Sequence, residues 1–166
     1  MKDSKIKKLV LASVFAAIVC VATTVFAFPL PGNGYANLGD CFVIICGGLL
    51  GSWWGFAAAA VGAALSDIIL GYAVYAPATF IIKGIMALAV HYIAVKKSVI
   101  MIAVSAVAAE IIMVAGYFLF ELAVFGAGVA VPDILGNATQ AVAGIVTGTV
   151  LLTVFVKNSK LYGFFK

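Results

Sequence analysis

The chain has 166 residues, of which 66% are hydrophobic and 10% are charged, and its mean hydropathy is +1.25. Soluble domains are roughly 45–50% apolar and about 25% charged, so this composition excludes a soluble globular protein. The net charge of +4 comes from ten lysines that stand mostly at the ends of apolar runs, which indicates membrane topology and not a nucleic-acid partner.

The first apolar run covers residues 9–28 and follows a lysine-rich start. A run of about 20 apolar residues is long enough to span a bilayer and longer than the apolar part of a signal peptide. We therefore predict that it is a transmembrane helix that ends at "PLPGNG", where proline and glycine interrupt the helical pattern.

The next apolar block, residues 38–70, is too long for one crossing and contains the break "GSWWG". Further on, Pro77 is suited to the first turn of a helix, and "VFGAGVAVPD" is predicted to be a loop. The sequence thus predicts an all-α integral membrane protein, a single domain over residues 1–166 that forms a bundle of six transmembrane helices. The predicted spans are 9–28, 38–52, 55–71, 77–95, 99–122 and 134–156.

Lysine positions predict the orientation of this bundle. With six spans, nine lysines fall on one side of the membrane, which the positive-inside rule makes cytoplasmic together with both termini. They are Lys2, Lys5, Lys7, Lys8, Lys96, Lys97, Lys157, Lys160 and Lys166.

Polar residues gather in the outer half of the predicted bundle. An ionisable group in hydrocarbon costs about 2.5–3.5 kcal/mol on insertion scales, so each one is a functional hypothesis. Glu110, Tyr117 and Glu121 are separated by seven and four residues and therefore share a helix face. We expect a substrate pocket open to the exterior, and the candidate residues are Asn37, Asp40, Asp67, Tyr72, Tyr75, Thr79, Lys83, Glu110, Tyr117, Glu121, Asn137 and Gln140.

Structural roles are open for several of these residues. Asp40 is also placed to cap the start of a helix, and Lys83 and Asp67 could neutralise each other without touching a ligand. His91 is typical of a structural or interfacial residue. The three cysteines lie in apolar segments without metal-ligand spacing, and we predict no metal site, no catalytic residue and no enzymatic activity.

Small residues recur at a spacing of four in three spans. Ala58 with Gly62, and Gly144 with Gly148, favour close packing inside the bundle. Ala12 and Ala16 in the first span could equally form an outward face that docks a partner helix.

Several stretches resemble the substrate-binding S components of energy-coupling factor (ECF) vitamin transporters. They are "GYANLGD", "GGLLGSWWGFAAAAVGAALSDIILGY", "YAPATFIIKG", "VAGYFLFELAVFG" and "GNATQAVAGIV". The resemblance covers nearly the whole chain and departs from the family at "GSWWG", where a Gly-Pro turn is expected.

The resemblance implies a six-helix subunit in the plasma membrane of a prokaryote that binds a vitamin or precursor from outside. Its partners would be a membrane coupling subunit (the T component), docked at Ala12 and Ala16, and two cytoplasmic ATPases. The chain would carry no cofactor of its own, since ATP and magnesium would bind to the ATPases. The "GYANLGD" and "YAPATFIIKG" stretches resemble the branch for vitamin B6 (pyridoxine), or next hydroxymethylpyrimidine.

Two other classes of protein remain as alternatives. A stand-alone transporter would use Asp67, Glu110 or Glu121 to couple transport to protons and would need no partner. A membrane-embedded enzyme is the third class, and the sequence offers no catalytic constellation for it.

Overall fold

The computed structural model describes residues 2–96 and 98–165. Lys97 and Lys166, which entered the orientation argument, lie outside these ranges. The described chain forms seven α-helices, a 3-10 turn and one short hairpin. These elements are α1 (Lys2–Val25), β1 (Phe28–Pro29), β2 (Tyr35–Ala36), α2 (Asp40–Leu50), α3 (Ser52–Leu70), α4 (Ala76–Ile93), the 3-10 turn Ala94–Lys96, α5 (Val99–Val124), α6 (Ala127–Lys157) and α7 (Ser159–Phe165).

Five of these helices, namely α1 and α3 to α6, are long and apolar enough to cross a membrane. Helix α2 has 11 residues and is shorter than the roughly 20 that a crossing needs. An all-helical membrane bundle is confirmed, whereas six complete crossings and the cytoplasmic position of both termini stay predictions.

The helix break predicted at "GSWWG" is confirmed and lies at its first residue. Gly51 has φ 87°, in the left-handed region that favours glycine, and α3 starts directly after it at Ser52. Pro77 lies in the first turn of α4, also as predicted.

Two predicted boundaries were wrong. Helix α1 ends at Val25 and not at residue 28, because Phe28–Pro29 pairs with Tyr35–Ala36 in an antiparallel hairpin. The segment "VFGAGVAVPD" is not a loop. Gly126, with φ 83°, separates α5 from α6, and α6 includes Pro132 in its second turn.

Helix α2 lies at the centre of the bundle, where it contacts α1, α3, α4 and α6. Ten of its 11 residues are buried, and Ile44 is fully enclosed. Glycines allow this close packing: a Cβ on Gly47 would overlap the backbone oxygen of Ala87, and one on Gly148 would lie 2.5 Å from Ile44 Cδ1. The small residues of α3 also pack internally, as predicted, since Gly62 approaches the backbone oxygen of Ala16.

Replacing Gly47 by alanine is expected to lower the free energy of unfolding by about 1–3 kcal/mol, the usual cost of overpacking a core. The added methyl group would meet α4 backbone, which cannot rotate away as a side chain can. Thermal unfolding in detergent measures the effect. Gly128→Ala is the matched control, because a Cβ at Gly128 would meet nothing within 4 Å; equal melting temperatures for the two variants would contradict the packing argument.

Candidate ligand-binding site

One end of the bundle holds a polar cavity. The helices alternate in direction, so that the last turns of α3 and α5 meet the first turns of α2, α4 and α6, and the β1–β2 hairpin folds against them. The cavity is small, with a volume of about 20 Å³, which is room for about one water molecule. Its walls are formed by Gly34, Tyr35, Asn37, Asp67, Tyr75, Thr79, Tyr117, Glu121 and Asn137.

The hairpin contributes Tyr35, which closes one side of the cavity. Its hydroxyl donates a hydrogen bond to Asp67 Oδ1 at 2.6 Å. Burial, and then the neighbouring Asp67 carboxylate, raise the pKa of Tyr35 far above its usual value. The phenol therefore keeps its proton and acts as a donor to Asp67.

A second carboxyl group faces the cavity from α5. Glu121 is 1% exposed, and its Oε1 accepts a hydrogen bond from the Tyr75 hydroxyl at 3.3 Å. The Tyr75 ring is stacked on Phe125 with the ring centroids 5.7 Å apart, which holds this hydroxyl in place. Across the cavity wall, Thr79 Oγ1 lies 3.0 Å from Tyr117 Oη.

Asp133 anchors the hairpin to α6. Its two carboxylate oxygens accept hydrogen bonds from the backbone N–H groups of Gly32, at 2.6 Å, and Gly34, at 3.1 Å. Asp133 is fully buried, and a Cβ on Gly34 would lie 3.2 Å from a carboxylate oxygen of Asp133 and of Glu121. A side chain here would require the two carboxyl groups to shift slightly, because the backbone passes between them.

A buried ion pair lies beneath the cavity. Lys83 Nζ contacts Asp40 Oδ1, and the two side chains are 3% and 1% exposed. Gln140 Nε2 donates to Asp40 Oδ2 at 2.5 Å, while Gln140 Oε1 accepts from the backbone N–H of Asn37 at 2.7 Å. This network connects α2, α4 and α6 to the segment that follows the hairpin.

This network corrects two of the structural alternatives. Asp40 does not cap α2, because Gly39 is the N-cap residue and no side chain caps it. Lys83 pairs with Asp40 and not with Asp67, whose described hydrogen-bond donor is Tyr35. Sequence analysis placed Asp40, Asp67 and Lys83 at the same end of the bundle, but the partner it suggested for Lys83 was Asp67 and not Asp40.

Five of the predicted site residues do not line the cavity. Glu110 lies deeper, near Asp40 and Lys83 and against Gly144, and it borders an apolar groove between α5 and α6. The Tyr72 ring packs on the Tyr35 ring, 4.9 Å between centroids, and so supports the cavity wall from behind. Asp40, Lys83 and Gln140 form the network below, and the remaining predicted residues border the cavity.

Sequence reasoning missed Gly34, Tyr35 and Asp133 as site residues. Gly34 and Tyr35 belong to a hairpin of two-residue strands, which is too short to leave a pattern in the sequence. Asp133 had a signal that was overlooked: it precedes Asn137 and Gln140 by four and seven residues, which places all three on one face of α6.

The predicted docking residues lie in the middle of α1, facing α3. Ala12 is 6% exposed and Ala16 is half-buried, and docking of a partner at these residues stays a prediction. Ala12 and Ala16 line a shallow groove between α1 and α3, whose other walls include Trp54 and Ala57. A partner that uses these alanines would have to enter the groove.

Replacing Asp133 by asparagine is expected to weaken ligand binding by about tenfold or more, since a hydrogen bond to a charged group contributes about 1.5–3 kcal/mol. The asparagine amide has one acceptor oxygen, whereas the carboxylate offers two, one to the N–H of Gly32 and one to that of Gly34. The hairpin that carries Tyr35 therefore loses one of these two hydrogen bonds. Calorimetric titration measures the affinity, with Thr139→Val, an exposed position on the same helix, as the control. Unchanged affinity in Asp133→Asn would show that the hairpin does not need this anchor.

The fold and the cavity define a class of protein. Membrane-length helices enclose a small cavity with aromatic walls and a few converging polar groups, which is the usual form of a small-molecule site. Among the described residues, 2–96 and 98–165, no group of three or more His, Cys, Asp or Glu side chains is arranged to hold a metal ion. These features define a multi-pass membrane protein with a polar cavity at one end that is a candidate solute site.

Comparison with known proteins identifies the family. Residues 3–157 match the family described as "ECF-type riboflavin transporter, S component". The chain belongs to this family of transporter subunits, which confirms the resemblance to ECF S components.

Individual proteins are similar to most or all of the chain. An uncharacterized protein of Pyrococcus woesei is 34% identical over 132 residues, which cover 78% of this chain and 88% of the relative. The thiamine precursor transporter HmpT of Lactococcus lactis subsp. cremoris (strain MG1363) is 27% identical over 172 residues, covering 100% and 98% of the two chains. The crystal structure of an S-component for biotin from an ECF-type ABC transporter has the same fold, with a TM-score of 0.65, 16% identity and coverage of 100% and 99%.

Proposed function

We propose that this chain is the substrate-binding subunit of an ECF-type importer and captures a small vitamin or vitamin precursor from outside the cell. A T component and two ATPases would complete the transporter, and ATP hydrolysis on those partners would drive uptake. The proposal is carried by one observation: a buried cavity with tyrosine and carboxylate walls lies at the end of the bundle opposite most of the lysines.

Charge distribution supports an outward-facing cavity. Lys5, Lys7 and Lys8 lie at the start of α1, and Lys157 and Lys160 lie at the junction of α6 and α7. The alternating helix directions place these positions at the end away from the cavity. By the positive-inside rule that end is cytoplasmic, so the cavity opens towards the exterior.

The small size of the cavity favours a ligand with one ring. Its volume of about 20 Å³ holds about one water molecule, so any ligand would have to displace the side chains that close it, and a single ring requires the least displacement. Pyridoxine is our first candidate, and its hydroxyl groups and ring nitrogen suit the carboxyl and amide groups of the walls. Hydroxymethylpyrimidine is the second candidate, favoured by the full-length similarity to a transporter named for a thiamine precursor.

Calorimetric titration of the purified, ligand-free chain tests the binding function. We expect nanomolar affinity for pyridoxine or hydroxymethylpyrimidine, with riboflavin and biotin included as larger competitors. Tight binding of riboflavin instead would keep the S-component function and reject the single-ring substrate.

Uptake assays distinguish the S component from a stand-alone transporter. Proteoliposomes with this chain alone should bind the ligand without accumulating it, and accumulation should require the T component, both ATPases and ATP. Accumulation driven by a proton gradient in vesicles that contain only this chain would establish the alternative, a proton-coupled carrier.

A further inference from the structure

Two carboxylate oxygens of the cavity walls lack a hydrogen-bond donor. Asp67 Oδ2 and Glu121 Oε2 are buried and accept no hydrogen bond from the residues that the structure describes. The partner oxygen of each group is engaged by a tyrosine, Tyr35 for Asp67 and Tyr75 for Glu121. Buried polar atoms are nearly always satisfied in folded proteins, so these two oxygens call for donors from elsewhere.

The protein donors near the two oxygens have other partners as well. The Thr79 hydroxyl lies beside the Asp67 carboxylate and 3.0 Å from Tyr117 Oη, and its single proton can be donated to only one of them. Lys83 is bound to Asp40. Its Nζ also lies 5.5 Å from the centre of the Tyr117 ring, and Tyr117 itself lines the cavity. Asp133, beside Glu121, is itself an acceptor of two backbone N–H groups.

The two oxygens approach the cavity from different sides. Asp67 belongs to α3 and Glu121 to α5, and both helices pack against α4, which lies between them. A ligand that satisfied both would need donors on two separated edges. The rings of Tyr75 and Tyr117 line the cavity with their centroids 6.5 Å apart and suit a flat aromatic ligand, and a cation near them is attracted by the ring faces.

We propose that the preferred ligand is a single aromatic ring that donates hydrogen bonds from two opposite edges, one to Asp67 and one to Glu121, and that the site favours cationic over neutral ligands and rejects phosphorylated ones. This inference rests on the proposed function and specifies its substrate chemistry. Amino, aminomethyl, hydroxymethyl and protonated ring-nitrogen groups are suitable donors. A phosphate group would place negative charge beside two carboxyl groups. None of the described residues that line the cavity is a lysine, and Lys83 is paired with Asp40.

Three related ligands test the charge preference. Pyridoxamine, pyridoxine and pyridoxamine 5′-phosphate share one ring and differ in an amine and a phosphate. In calorimetric titration we expect pyridoxamine to bind more tightly than pyridoxine, and tighter binding of pyridoxine would contradict the charge preference. The phosphate ester should bind about 100-fold more weakly, because like charges in a buried site cost several kcal/mol.

Neutral variants of the two carboxyl groups test the donor pattern. Asp67→Asn and Glu121→Gln should each weaken pyridoxamine binding by about 10–100-fold, the usual loss for a hydrogen bond to a charged group. Both should also reduce the discrimination against the phosphate ester. Thr139→Val, at an exposed position outside the cavity, is the control and should leave the affinity unchanged. Melting temperatures show whether each variant is folded.

Equal affinity for the phosphorylated and unphosphorylated amine, or unchanged affinity in both variants, would overturn the inference. If riboflavin alone binds and is taken up with the coupling module, the proposed function stands and the donor pattern is rejected. If no vitamin binds and the complete transporter accumulates none, the proposed function itself fails.

Discussion

Replacement of Lys83 by methionine is expected to lower the free energy of unfolding by about 3–5 kcal/mol, the usual cost of leaving one member of a buried ion pair without its partner. Lys83 and Asp40 are 3% and 1% exposed, so water cannot solvate the carboxylate that remains. Glu110 lies near the same pair, and neither of its carboxyl oxygens accepts a hydrogen bond from the described residues. Chemical unfolding in mixed micelles measures the loss.

A double variant separates charge from packing. Asp40→Asn together with Lys83→Met removes both charges, and the asparagine oxygen still accepts from Gln140 Nε2. Replacing a buried ion pair by neutral groups is often close to neutral for stability, so the double variant should recover most of the loss. A double variant as unstable as Lys83→Met would mean that the lysine acts through its packing and not through Asp40.

Bulky side chains in the α1–α3 groove are expected to abolish uptake by the complete transporter. Ala12→Leu with Ala16→Leu would fill the groove in which we propose that the T component docks. The groove and the ligand cavity share no residues. Ligand affinity should therefore stay within about threefold of wild type, a change of about 0.7 kcal/mol.

Binding and uptake are measured on the same preparations of this double variant. Unimpaired binding shows that it is folded, which matters because Ala12 is buried. The matched control is Ala108→Leu, a half-buried alanine on α5, a helix that lines no part of the groove. Normal uptake by the Ala12→Leu/Ala16→Leu variant would place the docking surface elsewhere.

Hydropathy and helix-breaking residues predicted most of the architecture. Apolar runs of membrane length identified the five long helices, and Gly51 and Pro77 marked where helices start. These features are local: they depend on the length of a run and on the backbone preferences of glycine and proline. The family resemblance also depended on local sequence, since each stretch quoted for it is continuous in the chain.

The start of α6 shows where local preference failed. Glycine and Pro132 made residues 123–133 resemble a loop, yet the helix begins at Ala127. Inside the bundle, Asp133 bonds to the hairpin and Ala130 is fully buried. Such tertiary contacts can outweigh weak helix propensity in a short segment.

Helical spacing along the sequence also placed carboxyl, amide and tyrosine groups at one end of the bundle, because it determines which residues share a helix face. It could not assign their partners. The partners depend on how each helix is rotated against its neighbours and on the path of the hairpin. These two features bring Lys83 to Asp40 and Tyr35 to Asp67, and they place Glu110 below the cavity. Those arrangements result from packing between residues 32 to 103 positions apart, and only the folded bundle brings such residues into contact.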